Sequence, residues 1–371
     1  MNPRRRSINT YEGWKTYAET PLRIQPETLT RAKLAALGDR AKDDYNLARR
    51  EWHANIVLRT RQVEALEGQL DDIVDSNLQD AGRVKSAAAI DALPTLGKST
   101  LVNYYGRRFH QQRLRQVGEH LDEGDTLHLP VCHVMLEGKV TIKGLHEALL
   151  GFYAHPSARA QGLSTARGRD LARAAAECVE RHGTRLIIID DLHFLNPRTR
   201  DGGEAANQLK WLANEYDATF LFTGVALRER GIIAEGETGR QAAMAQTFRR
   251  WTVFGMDSFS LRTKAGRTEW VRLIGNIEQK IVLAGARPGM LVELSDYLFA
   301  RSSGNIGSLM DLVRRGASCA IRTGTEALDR ELLDTIRIDE GAETERIELE
   351  ARLERKNAQR PRRTAAGQAA A

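Results

Sequence analysis

Short apolar runs alternate with longer amphipathic stretches through the middle of the chain, and this alternation sets the expected fold class. Residues 84–92 are small and β-branched and lead at once into a turn and a helical stretch over 99–116. Further apolar runs at 127–136, 186–190 and 219–223, with a weaker one at 251–256, predict strands. Between them, 141–153, 164–182, 203–216 and 226–250 carry helical periodicity. Strands alternating with helices imply an α/β fold, a parallel sheet with helices on both faces.

The flanks read differently. After a loose basic start holding Trp14 and Tyr17 and interrupted by Pro21 and Pro26, residues 28–77 contain almost no Gly or Pro. Leu34, Leu47, Trp52, Ile56 and Leu58 recur there at roughly helical intervals. A polar connector is expected at 76–83. From 263 to about 339 the strand signals stop, and three or four amphipathic helices are expected, punctuated by Pro288-Gly289 and Gly304. Beyond 340 an acid-and-Arg helix gives way to Arg360-Pro361-Arg362-Arg363 and an Ala-rich tail, a composition that favours solvation over packing. The expected division is therefore an N-terminal helical extension (1–80), an α/β core (81–260), a small helical domain (261–339) and a charged tail (340–371).

Composition narrows the function classes. The 371 residues are 42% hydrophobic and 28% charged, enough to bury a core, and the formal charge of +6 permits nucleic-acid binding without demanding it. No apolar run reaches the length of a membrane span, and the first residues lead into polar sequence, so neither a span nor a secretory signal is expected. The three cysteines, Cys132, Cys178 and Cys319, lack C-x-x-C spacing, which excludes a disulfide framework and a cysteine zinc site and fits the reducing cytoplasm.

The chemistry concentrates at Ala92-Leu93-Pro94-Thr95-Leu96-Gly97-Lys98-Ser99-Thr100, between an expected strand and an expected helix. A phosphate-binding loop needs that context, because its backbone N–H groups and the following helix start together hold the β-phosphate of ATP. Lys98 would reach the β- and γ-phosphates and the Ser99 hydroxyl would hold Mg²⁺. The loop departs from G-x-x-x-x-G-K-[ST] at Ala92, and Thr95 stands where many such loops carry a second Gly. A chance Gly-Lys-Ser in a strand–turn–helix is the competing reading.

A second motif bears on that choice. Residues 186–191 form an apolar strand ending in Asp190-Asp191, about 90 residues beyond the lysine. In P-loop ATPases this strand carries the magnesium-associated Asp, here Asp190. Asp191 occupies the place of the Glu that polarises the attacking water and is one methylene shorter, so weak ATPase activity is expected, suited to a switch. Thr223, closing the next apolar run, would lie beside the γ-phosphate. His193 has no partner at metal-ligand spacing and reads as structural.

With these residues assembled, the chain resembles the AAA+ ATPases, and more closely the transposition-regulator group that includes TniB and TnsC, with MuB a more distant functional relative. The resemblance covers about residues 45 to 337. It is carried by Trp52-His53-Ala54-Asn55, Ile73-Val74-Asp75-Ser76-Asn77, the loop from Ala89 to Thr100, Ile189-Asp190-Asp191-Leu192-His193, and Ser303-Gly304-Asn305-Ile306-Gly307-Ser308-Leu309 running on to Arg314-Arg315. It implies a P-loop AAA+ core with a C-terminal helical lid, and ATP-dependent assembly on double-stranded DNA as a ring or helical homo-oligomer that recruits a transposase. It also implies an arginine finger, for which Arg249 or Arg250 is placed, at the end of the helix before the last strand. An exposed basic helix end is the competing reading there. Gly307 stands where a sensing Arg often sits in the lid, with Arg314 and Arg315 the nearest substitutes. Lys139, Thr141 and Lys143, in the turn and helix start after the second strand, are the candidates for phosphate contacts to DNA. The alternative functions are a vigorous P-loop ATPase, such as a loader, a remodeller or a defence-system NTPase with a protein partner, and a scaffold whose nucleotide site has decayed.

Overall fold

A computed structural model describes residues 7–79, 85–121, 125–156, 168–195, 215–230 and 251–339, together with Leu209, Ile232, Gly341 and Thr344. Two compact units emerge, each assembled from separated stretches of chain. One comprises Met1–Leu22 and Arg59–Asp257, the other Arg23–Leu58 and Ser258–Ala371. The first 80 residues, read from sequence as a single extension, are thus divided between both units.

The first unit is built on a five-stranded sheet. Its strands are β1 (Ala87–Ala92), β4 (Val131–Met135), β5 (Leu186–Asp190), β6 (Thr219–Gly224) and β7 (Trp251–Met256), in the order β4-β5-β6-β1-β7, and every pairing is parallel. All of β5 and β6 is buried, which is why these strands read as continuous apolar runs without alternation. The run at 127–136 is split. Thr126–Leu127 (β3) pairs antiparallel with His120–Leu121 (β2) in a separate ribbon, and β4 starts only after Pro130. Proline has no N–H for a ladder, and here its carbonyl accepts from the N–H groups of Arg185 and Leu186 at 3.0 and 3.2 Å.

Helices α4 (Arg61–Gln79), α5 (Lys98–Val117), α6 (Ile142–Phe152) and α7 (Gly168–Arg181) belong to this unit, as does α1 (Tyr11–Glu19), N-capped by Thr10. Trp14 of α1 is fully buried and stacks on His133 of edge strand β4, with ring centroids 5.3 Å apart. The Asn9 carboxamide oxygen accepts from the Met135 N–H at 3.1 Å, closing the exposed side of that edge. Helix α4 runs through the expected connector to Gln79. Asn77 near its end joins the residue before β1 to the start of β6, with its oxygen accepting from the Ser86 N–H while its amide donates to the Ser86 carbonyl and to Thr219 Oγ1. The expected helix 203–216 falls almost wholly outside the described residues. Of 226–250, Ala226–Arg230 and Ile232 are described, and the former stretch forms a turn, with Ala226 at φ 55°.

The second unit is helical. Helices α8 (Lys264–Glu278), α9 (Ser295–Ser302), α10 (Ile306–Thr323) and α11 (Arg330–Asp334) surround a core that includes Trp270, Leu298, Leu309 and Leu312. Helices α2 (Arg31–Ala35) and α3 (Asp39–Ala54) complete it. The helical run expected at 28–77 is therefore interrupted at Gly38 and again between Asn55 and Thr60. Trp52 Nε1 donates to the Lys280 carbonyl at 2.7 Å, and His53 Nε2 accepts from the Val282 N–H at 2.9 Å. Arg49 grips Glu326 through both nitrogens of its fork at 2.6 Å, a fully buried bidentate pair. The Gly304 carbonyl accepts from the Phe259 N–H at 2.9 Å, and Gly304 is held at φ 74° with Phe259 O only 2.3 Å from where a Cβ would sit, so no larger residue fits.

Candidate nucleotide site

The parallel register brings the sequence motifs together at the carboxyl ends of the central strands. Ile90 pairs with Thr223, Ile189 with Phe222 and Met135 with Asp190. The loop from Leu93 to Gly97 leaves β1 at that end and enters α5. Leu96 is its buried anchor, whereas Leu93, Pro94 and Thr95 are exposed. Gly97 turns the chain into the helix at φ 91° and supplies no side-chain cap, so the first-turn amides of α5 face the loop without one. Ser99 is half-buried and Thr100 exposed in that turn. Thr95 also adopts a left-handed backbone, φ 62°, and donates from Oγ1 to the Pro94 carbonyl at 2.7 Å. A β-branched residue in that conformation costs roughly 1–2 kcal/mol, which is the physical content of the missing glycine.

Lys98 is buried and folded back on the loop, its Nζ donating to the carbonyls of Ala92 at 2.8 Å and Leu93 at 2.7 Å. Burial pulls its pKa below the usual lysine value, opposed by the nearby carboxylates of Asp191, Asp190 and Asp91. Asp190 is fully buried at the end of β5. Its Oδ1 accepts from the Thr223 hydroxyl and, at 3.0 Å, from the Asp191 N–H, while its Oδ2 is buried without a hydrogen-bond partner. The Thr223 oxygen in turn accepts from the Asp191 N–H at 3.3 Å. Asp191 sits in a left-handed conformation, φ 59°, and its carboxyl is raised by burial and by Asp190 beside it. His193 Nδ1 is 3.7 Å from Asp191 Oδ1, and burial lowers its imidazole pKa.

This donor set suits a magnesium-bound polyphosphate. An ammonium and uncapped amides meet phosphate charge, and an orphaned buried carboxylate oxygen meets a hard cation. Among the described residues no cluster of three or more His, Cys, Asp or Glu stands ready to hold a metal. A magnesium ion here would share its coordination with phosphate oxygens, as that ion commonly does.

One residue of the site escaped sequence reasoning. Asp91, in β1 just before the loop, accepts from the N–H groups of Leu227 at 3.0 Å and Arg228 at 3.2 Å, tying the segment after β6 to the strand that feeds the phosphate loop. Arg230 of that segment donates to the His193 carbonyl at 3.5 Å. An acid inside an otherwise small and apolar strand was the signal available.

Other candidates are placed as follows. Arg249 and Arg250 lie outside the described residues. Lys139 is exposed in the turn after β4. The Thr141 hydroxyl is engaged as the N-cap of α6, accepting from the Gly144 N–H at 3.1 Å, and Lys143 lies 3.9 Å from Glu147. In the helical unit Arg314 donates to the Ile56 carbonyl at 3.0 Å and Arg315 to the Arg337 carbonyl at 2.7 Å. No described helix is long and apolar enough to cross a membrane.

A parallel sheet in this strand order, with a phosphate-type loop after β1 and a carboxylate pair ending β5 on the far side of β6, defines the fold as that of the AAA+ P-loop ATPases. Residues 83–232 match the family described as AAA domain. Among solved structures the chain is similar to the Aeropyrum pernix ORC1 protein in complex with DNA, with a TM-score of 0.55 at 16% identity over 81% of this chain and 69% of that one. It is also similar to the Aeropyrum pernix ORC2 protein (TM-score 0.49, 14% identity, 77% of this chain and 70% of that one). CDC6P from Pyrobaculum aerophilum gives a TM-score of 0.47 at 13% identity, over 72% of this chain and 64% of that one. No curated protein matches the chain in sequence.

Proposed function

We propose that the protein is an ATP- and Mg²⁺-dependent AAA+ switch with slow hydrolysis that oligomerises on duplex DNA and recruits a transposase there. The observation that carries the nucleotide site is the buried Asp190 carboxylate, held on Oδ1 by Thr223 and the Asp191 N–H and left open on Oδ2, at the same sheet end as Lys98. Lys98 would exchange the carbonyls of Ala92 and Leu93 for the β- and γ-phosphates, the loop from Ala92 to Thr100 would surround the phosphates with its N–H groups, all but Pro94 having one, and Ser99 and Asp190 would hold the metal. A magnesium ion held by Ser99 and Asp190 would supply charge neutralisation to the phosphates. The single Thr223 proton is given to Asp190, so Thr223 responds to a γ-phosphate only by releasing that carboxylate, which links the sensing hydroxyl to the metal position. Asp191 is the water-polarising residue, and its reach, one methylene short of a glutamate, supports slow turnover. Arg249 or Arg250 acts on the neighbouring subunit's nucleotide.

The DNA reading draws on the net charge of +6, on Lys139 and Lys143 beside Thr141, and on a fold shared with a protein solved in complex with DNA. The transposase reading draws on the motifs shared with the transposition regulators. Duplex binding and particle size, measured with ATP, ADP, a non-hydrolysable ATP analogue or no nucleotide, test the whole. Large DNA-bound particles are expected only with ATP or the analogue, and Lys98→Ala is expected to abolish them while the melting curve is preserved. Assembly that persists in Lys98→Ala would overturn the nucleotide switch.

A further inference from the structure

The helical unit carries a solvent-open cavity of about 440 Å³, lined by none of the nucleotide-site residues. It lies among α2, α3 and the end of α10, and five cations line it: Arg31, Lys42, Arg49, Arg50 and Arg322. The only lining carboxylate among the described residues, Glu326, is already taken by the Arg49 fork and by the Ala284 N–H at 2.9 Å. Arg31 is engaged by the carbonyls of Gly324 and Thr325 past the end of α10. Three cations remain on the rim. The Lys42 and Arg50 side chains are exposed and make no hydrogen bond or ion pair with the described residues, and the Arg322 guanidinium is hydrogen-bonded only to Cys319 Sγ among them, at 3.5 Å. Like charges gathered over a concave, low-dielectric wall focus a positive field that calls for an anion.

The shape of the wall selects the kind of anion. A protein partner needs apolar surface to bury at the centre of its footprint, and the large apolar residues here, Leu34 and Ile321, are only 7% and 6% exposed, which leaves a single methyl group, that of Ala35, as the exposed apolar side chain of the lining. Guanidinium and ammonium groups on an open rim match the spaced, unshielded charges of a phosphodiester backbone instead. We infer that this basic groove of the helical unit binds the sugar–phosphate backbone of duplex DNA, without sequence preference, as a contact separate from the turn at Lys139. The inference extends the DNA reading given above and fails independently of it.

The test uses the full chain and a labelled random-sequence duplex, titrated by anisotropy across salt concentrations, with a labelled polyglutamate peptide as the protein-like anion. Lys42→Ala/Arg50→Ala/Arg322→Ala is compared with wild type and with Lys139→Ala/Lys143→Ala, each checked by thermal melting. The groove variant is expected to lose at least tenfold in duplex affinity, and its slope of log K against log salt is expected to become shallower by about 2 to 3. Equal duplex affinity and slope in a folded groove variant would overturn the groove, and a simultaneous loss in the Lys139/Lys143 variant would leave the DNA reading standing. Loss of polyglutamate binding with duplex binding intact would reassign the groove to an acidic protein. A wild type that binds no duplex with any nucleotide would end both inferences.

Discussion

At the scale of single residues, the site is tuned by two departures from what its motifs ordinarily carry. Thr95 pays a backbone cost that glycine would not, and Asp191 presents its carboxyl one methylene short of a glutamate. The second departure makes a sharp prediction. Asp191→Glu is expected to raise steady-state phosphate release by about tenfold or more, within the range a positioned general base supplies, while leaving ATP affinity unchanged within about twofold. An unchanged rate would remove Asp191 from the water-polarising role. That Lys98, Ser99, Asp190 and Thr223 stand at strand ends or in the turn that follows one was legible in the sequence, because the spacing of each from an apolar run is local information. Asp91 was not legible, because its work is to accept two N–H bonds from a segment 136 residues further on, and nothing in the local sequence marks such a partner.

At the scale of elements, the motif around Trp52-His53 turns from a mark of family resemblance into a fastening. Helical periodicity over 28–77 shows that helices form there, but not that α3 donates and accepts at the backbone of residues 280–282. The His53 contact requires an unprotonated Nε2, and burial, with the Arg49 guanidinium adding to it, pushes that imidazole down to about 4. Between about pH 6.5 and 4 the unfolded chain therefore binds the extra proton, so this contribution to stability is complete above 6.5 and is lost as the pH falls through that window. The full shift is worth on the order of 3 kcal/mol. His53→Gln keeps an acceptor for the Val282 N–H without titrating. Urea melts at pH 7.5 and pH 5 are expected to show wild type losing more stability than His53→Gln on acidification. Parallel losses in the two proteins would mean that other groups carry the acid sensitivity. The strands were the best-read elements, since burial on both faces leaves a plain apolar signature. The break at Pro130 was missed because the residues on either side of it are equally apolar.

At the scale of the whole molecule, sequence order and spatial grouping disagree. Ile56 belongs to the core of the helical unit, and Arg49 neutralises Glu326 within it. Removing one partner of such a buried pair costs about 3–5 kcal/mol. Residues 258–339 alone are accordingly expected to melt without cooperativity, and residues 23–58 joined to them by a flexible linker are expected to restore a cooperative transition by circular dichroism. Cooperative melting of 258–339 by itself would contradict the division described above. The same interleaving has a consequence during synthesis. Residues 23–58 leave the ribosome about 200 residues ahead of the helices they are built to join. At roughly 5–20 residues per second that is an interval of about 10–40 s. For that time Trp52 and Ile56 have no native cover and Arg49 has no carboxylate, and only at its end does the intervening α/β unit have all of its chain. The nascent protein thus passes through a stage with a complete α/β unit and an incomplete helical one, and that stage is when a chaperone or a protease would find it.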